Sequence, residues 1–315
     1  MNFLRLIRWY NLLMIVFTML VMRYGVIEPL IGFKGFELQL SWYNFLILIF
    51  ATVFITAAGY IINDYFDAKI DALNKPDRII IGNKIERRLA LFLHTIFNIL
   101  GVLLGFYVSF IINLPSLGLI FPIVSGLLWF YSTTYKKQLL IGNIVISCIT
   151  ALVPLIVIFF EIPALNSFYR DLIISKGEDF SYVIHWIYFY AFFAFILTLI
   201  REIVKDMEDF EGDEAYGRNT LPIVSGIKIT KSIVCSLIIL FLIFLGFIYL
   251  TYLNDMITLI YILVFIIIPL LFVGFKTLKA DKKEDYHLIS NILKFVMLAG
   301  VIYGMIIRIL LKINL

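Results

Sequence analysis

The stretch "GYIINDYFDAKIDALNKPDR", Gly59 to Arg78, decides how the chain is read. It opens as apolar as the forty residues before it. It then sets Asn63, Asp64, Asp67 and Asp71 within nine positions, followed by Lys75 and Arg78. Carboxylates gathered at the end of a hydrophobic run need an account of both the run and the acids.

Composition accounts for the run. Of 315 residues, 62% are hydrophobic and 15% charged, with mean hydropathy +1.01. A soluble domain has about 45–50% apolar and about 25% charged residues. The excess lies in runs near twenty residues long, the length that crosses a bilayer. Lipid offers the backbone no partners, so each run must be a helix. The expected fold is an all-α polytopic membrane protein with nine transmembrane helices around a central cavity. The spans read as about 9–31, 42–63, 88–111, 114–134, 140–160, 184–204, 229–252, 255–275 and 289–312. The first follows Arg5 and Arg8 but is too long for a signal-peptide core and lacks a small-residue cleavage site. The chain reads as one domain, 1–315, with four-helix halves at about 1–137 and 138–284 and a ninth helix at 289–312.

Twenty of the 26 Lys and Arg fall at the N-terminal end or in the connections after even-numbered spans. Basic residues mark the cytoplasmic side. The expectation is an integral protein of the inner (cytoplasmic) membrane whose acidic stretch faces the cytoplasm. The net charge of +4 reflects this topology, and no nucleic-acid patch is visible. Cys148 and Cys235 fall within spans without metal-like spacing and read as buried, inert thiols. His94, His185 and His287 read as packed or interfacial, since none has a second soft ligand at helical spacing. The longest outer connection, about 161–183, reads as a polar link.

A second acidic stretch, "REIVKDMEDFEGDEAYGRN" from Arg201 to Asn219, follows the sixth span as the first follows the second. On a helix Asn63, Asp67 and Asp71 cover an arc of roughly 80°, and Glu202, Asp206, Asp209 and Asp213 one of roughly 60°. Each is an acidic stripe, provided the helix outlasts the apolar run; Gly59 and Gly212 stand nearby as points of backbone looseness. The plain alternative is a helix end meeting water. Against it, cytoplasmic ends favour Lys and Arg, and like charges four residues apart repel unless neutralised. Two such stripes suit hard divalent cations. Mg²⁺ is commonly held by a few carboxylates while it bridges substrate phosphates. A diphosphate with a long apolar tail fits a metal site at the mouth of a greasy cavity, and 17% aromatic residues could line that cavity.

Asn63-Asp64-x-x-Asp67-x-x-x-Asp71 resembles the first motif of the UbiA superfamily of intramembrane prenyltransferases, and Asp206-x-x-Asp209-x-x-x-Asp213 its second. The likeness extends to Arg8 and Asn11, to "NKPDR", and to "YSTTYKK" followed by Gly142-Asn143. It implies Mg²⁺-dependent transfer of a prenyl group from a polyprenyl diphosphate to a lipophilic acceptor in the membrane lipid. By position, Asn63, Asp67, Asp209 and Asp213 match the metal ligands, Asp64 stands with them, and Asp71 and Asp206 support them. Arg8, Asn11, Arg78, Lys136 and Lys137 match the substrate-binding set, and Lys205 either holds phosphate or pairs with the stripe. Tyr131 would face the reacting carbon, and Asp71 or Glu202 would take the acceptor's proton. "REIVKDMEDFEGD" and the short N-terminus look most like the branch that prenylates geranylgeranylglycerol phosphate for ether lipids. An aromatic acceptor of quinone synthesis is the alternative. The rival of another class is a transporter, which would place its ionisable residues near the bilayer midplane.

Overall fold

The computed structural model describes residues 2–74, 80–177 and 179–313. Among them are nine helices long and apolar enough to cross a membrane. These are α1 Trp9–Gly32, α2 Trp42–Ala68, α3 Arg87–Ile111, α4 Pro115–Lys137, α5 Ile141–Phe168, α6 Ser181–Glu208, α7 Ile227–Leu253, α8 Met256–Lys279 and α9 Lys283–Leu310. The apolar runs therefore locate every span, and the differences lie at the ends. The α2 helix continues to Asn74, so the first acidic motif is helical as the stripe requires. Hydropathy falls before the helix does, because a helix leaving lipid keeps its internal hydrogen bonds while its side chains turn polar.

The chain's contacts gather into two compact units. The first comprises Met1–Thr134, Ala151–Ala191 and Val301–Leu315. In it α2 packs on α3 and α4. A Cβ on Gly59 would stand 2.8 Å from Leu128, so this glycine serves close helix packing and does not loosen the backbone beside the motif. Polar side chains add specific ties, as membrane helices often use them. His94 Nδ1 lies 3.0 Å from the Ala58 carbonyl, and Ser125 donates to Asn98 at 2.7 Å.

The outer connection differs from the reading at 161–183. Helix α5 runs on to Phe168, and a second short helix, Arg170–Lys176, follows. Glu161, read as the first connecting residue, is 0% exposed. One of its oxygens accepts from the backbone N–H of Gln39 (2.7 Å) and Leu40 (3.0 Å). The other lies 3.2 Å from Nε of Arg23, itself 2% exposed. Arg23 sits in a π-helical segment of α1, Val21–Ile27, donates to the Leu40 carbonyl, and lies over the Phe45 ring at 4.4 Å. A buried charge must be matched, and here Glu161 stands against Arg23 while its other oxygen accepts two backbone N–H groups.

The second unit comprises Tyr135–Thr150 and Phe192–Gly300. Its core takes one stripe from each helix: Leu197, Ile200, Val204 and Met207 of α6; Val234, Ile238 and Phe241 of α7; Ile262, Ile266, Leu270 and Val273 of α8; Tyr286, Ile289, Leu293 and Val296 of α9. Steps of three and four residues put each set on one helical face. His287 Nδ1 meets Glu208 Oε1 at 3.1 Å, joining the start of α9 to the end of α6. Cys148 is exposed, contrary to the expected burial, and Cys235 is half-buried with its thiol 3.6 Å from the Gly274 carbonyl.

Candidate active site

In the first unit, the site begins at a bend. A short helix, Asn2–Leu6, ends before Arg8, which has φ 50 and ψ 54. A left-handed non-glycine residue costs about 1–2 kcal/mol. That geometry turns the Arg8 side chain onto α2, where it donates to Asp64 at 2.7 Å and lies 4.9 Å over the Tyr60 ring. Desolvation opposes the Arg8 charge, but Asp64, Tyr60 and Tyr131 outweigh it and hold the guanidinium above its ordinary pKa. One turn into α1, Asn11 donates to the Tyr60 hydroxyl at 3.3 Å. Asn63 and Asp67 are half-buried on α2, and Tyr131 is half-buried on α4.

In the second unit, the α6 end carries the other motif. Glu202 is buried, and its two oxygens accept from Arg201 and Lys205, each at 2.8 Å. Lys205 thus pairs with the acidic stripe. Asp206 accepts from the Asn143 amide at 2.8 Å. The stripe is not one continuous helix. Helix α6 stops at Glu208, Asp209 has φ −97 and ψ 13, and a short helix, Phe210–Ala215, follows. Two backbone bonds still span the break, Asp209 N–H to Lys205 (2.9 Å) and Asp213 N–H to Asp209 (3.0 Å). The acids therefore keep roughly four-residue spacing through a local bend. Asp213 is 2% exposed and accepts from Arg218 at 3.0 Å. Lys136 and Lys137 lie in a tight turn, Tyr135–Lys137, whose Lys137 carbonyl accepts from the Asn219 N–H at 2.9 Å.

The expected residues are thus gathered as Arg8, Asn11 and Asp64 in the first unit, and as Glu202, Lys205, Asp206, Asp209 and Asp213 in the second. Arg78 lies outside the described residues, as does the side chain of Asp71, whose backbone is helical. Sequence reasoning missed Tyr60, Arg201 and Arg218, and gave Asn143 no role. Asn143 stood in the quoted Gly142-Asn143 pair, but nothing local names a partner 63 residues away.

The donors in both motifs are carboxylate and amide oxygens, the hard set that suits Mg²⁺ and lacks the sulfur or imidazole that would favour softer ions. The residues present fit such a cation. Among the described residues no three His, Cys, Asp or Glu side chains gather closely enough to enclose an ion alone.

Residues 35–297 match the UbiA prenyltransferase family. The chain is 32% identical over 249 residues to digeranylgeranylglyceryl phosphate synthase of Methanosphaera stadtmanae, covering 78% of this chain and 81% of the relative. A solved structure of a digeranylgeranylglyceryl phosphate synthase superposes with TM-score 0.63 at 28% identity, covering 96% of this chain and 98% of that one. A UbiA homolog from Archaeoglobus fulgidus, bound to DMAPP and Mg²⁺, shares the fold with TM-score 0.59 at 15% identity, covering 97% and 99%. With both acidic motifs at the ends of apolar helices and a match over most of its length, this chain belongs to the UbiA prenyltransferase family and is a membrane-embedded prenyltransferase.

Proposed function

We propose that the protein transfers a geranylgeranyl group from geranylgeranyl diphosphate to the free hydroxyl of geranylgeranylglyceryl phosphate, forming the second ether of a glycerol-phosphate lipid. The observation that carries this reading is the 32% identity over 78% of the chain to a synthase of that product. The reaction breaks the allylic C–O bond and releases diphosphate. The acceptor oxygen forms the new C–O bond, and its proton leaves.

Asn63, Asp64 and Asp67, with Asp209 and Asp213, are assigned to Mg²⁺, and Asp71 and Asp206 support them. When bound, Mg²⁺ supplies positive charge at the leaving oxygens. The chain's basic residues do the rest of the anion binding. Arg8, already turned onto the first motif by Asp64, presents a planar fork suited to phosphate oxygens. Lys136, Lys137 and Arg78 complete that set, with Asn11 holding Tyr60 beside Arg8. Tyr131 is assigned to the reacting carbon, where a ring face stabilises developing positive charge. Of the two expected bases, Glu202 has both oxygens engaged by Arg201 and Lys205, which favours Asp71. The distribution of Lys and Arg supports a site open to the cytoplasmic side of the membrane.

The test is an acceptor screen. Purified protein with radiolabelled geranylgeranyl diphosphate is offered geranylgeranylglyceryl phosphate or an aromatic quinone precursor. Labelled diether phosphate is the expected product. Label transferred only to the aromatic acceptor would overturn the assignment and favour the quinone branch.

A further inference from the structure

We propose that Asn143 is a positioning residue for the second motif: it fixes the Asp206 carboxylate relative to the Lys136-Lys137 turn. The inference rests on the metal role proposed above for that motif. All the residues involved lie in the second unit.

The start of α5 is a built joint. Leu140 adopts φ 57, a left-handed conformation rare outside glycine. Gly142 follows, and a Cβ there would stand 2.7 Å from the Lys136 Cα and 2.9 Å from the Tyr135 carbonyl oxygen. Those are backbone atoms that cannot step aside, so only glycine lets the turn close against the helix. The Lys137 carbonyl is tied in turn to the Asn219 N–H at 2.9 Å, just beyond the second motif. The two lysines are therefore locked to the first turn of α5. Asn143 is the next residue. It is 8% exposed, and its Nδ2 donates to Asp206 Oδ2 at 2.8 Å.

The chemistry explains why an amide serves here. Asp206 shares its surroundings with Glu202 and Asp213, carboxylates that repel it. A lysine in place of Asn143 would neutralise Asp206 and compete with a cation for it. An amide orients one oxygen without adding a positive charge of its own. The same side chain thus sets the spacing between basic turn and acidic helix through one hydrogen bond.

The test uses full-length protein and Mn²⁺ as a paramagnetic probe in the presence of inorganic diphosphate. Asn143→Ala should weaken Mn²⁺ binding, read by EPR, by about tenfold or more, the scale of a lost hydrogen bond to a charged group. The rate of prenyl transfer at saturating substrates should fall by a similar factor, with the acceptor KM within about threefold. Asn143→Gln keeps a donor and should recover part of both losses. If Asn143→Ala does not fold, Asn143→Ser, whose hydroxyl stops short of Asp206, replaces it. Mn²⁺ binding and rate unchanged in a folded variant would overturn the proposal. Absence of Mn²⁺ binding in the unsubstituted protein would instead overturn the metal role on which it rests.

Discussion

The Arg23–Glu161 pair offers a stability test whose size follows from its geometry. Both side chains are buried, at 2% and 0% exposure. Glu161→Gln keeps an oxygen for the Gln39 and Leu40 N–H groups but turns an amide N–H₂ toward the Arg23 Nε–H. The guanidinium, which cannot lose its proton, is then buried with a donor facing it. Breaking a buried pair in this way costs about 3–5 kcal/mol. For a chain of this size that is a fall in melting temperature of roughly 5–15 °C. Arg23→Met should cost less, because the remaining carboxyl keeps two backbone donors and can shed its charge by binding a proton. The double variant Arg23→Met/Glu161→Gln removes the stranded charge and keeps the acceptor, and should recover at least half of the loss. Thermal unfolding in detergent, followed by near-UV circular dichroism, reads all three. A Glu161→Gln protein melting within about 2 °C of the unsubstituted chain, or an Arg23→Met protein melting below it, would refute the reasoning.

The remaining predictions concern the motifs and one loop. Asp67→Ala and Asp213→Ala should each reduce prenyl transfer by about a hundredfold or more while the protein still reaches the membrane; full activity of either argues against its metal role. EDTA should stop turnover, and Mg²⁺ should restore it in a radiolabel assay. Arg8→Lys keeps the charge but loses the planar fork, and should lower transfer by about tenfold, measured against the diphosphate concentration. Asp179 accepts from the Ser181 hydroxyl (2.6 Å) and N–H (3.0 Å), which hold its carboxyl below the ordinary 3.8. Its contribution is therefore present above that value and is lost as pH falls through the lowered one. The melting-temperature difference between the protein and Asp179→Asn should be constant near neutral pH and shrink only below about pH 4.

Much of this was legible in the amino-acid order. Nine apolar runs locate nine helices among the described residues because lipid leaves a chain no other way to satisfy its backbone. The family was legible because two stripes of aspartates at four-residue steps, unusual at helix ends, resemble its two motifs. What failed was anything decided by a distant partner. Glu161 read as the start of a loop because a lone charge normally ends a span, and its compensation comes from Arg23 and from Gln39 and Leu40, more than a hundred residues away. Cys148 read as buried because its run is apolar, but hydropathy does not say which face of a helix turns outward. The bend at Asp209 has no proline or glycine at the break itself, and Gly212, three residues on, marked only its neighbourhood. Asp206 and Asn143 look like two unrelated polar residues until the fold joins them.

The buried acids also differ from an ordinary polar helix end. A carboxylate that only terminates a helix in water needs no partner, since solvent screens it. Asp213 at 2% exposure and Glu202 at 8% have no such screening and would be strongly destabilising alone. Each is matched by cations from neighbouring positions, Arg218 for the first and Arg201 with Lys205 for the second. Burying carboxylates and then matching them costs more than leaving them in water, which solvated helix ends would not require. The Arg23–Glu161 pair is the opposite case. Glu161 is committed to two backbone N–H groups and Arg23, so exchanging a proton or an ion there would release the 39–40 loop. A carrier needs a carboxylate that cycles between partners. This one is locked, whereas Asp67 and Asp209, near the ends of α2 and α6, are half-buried.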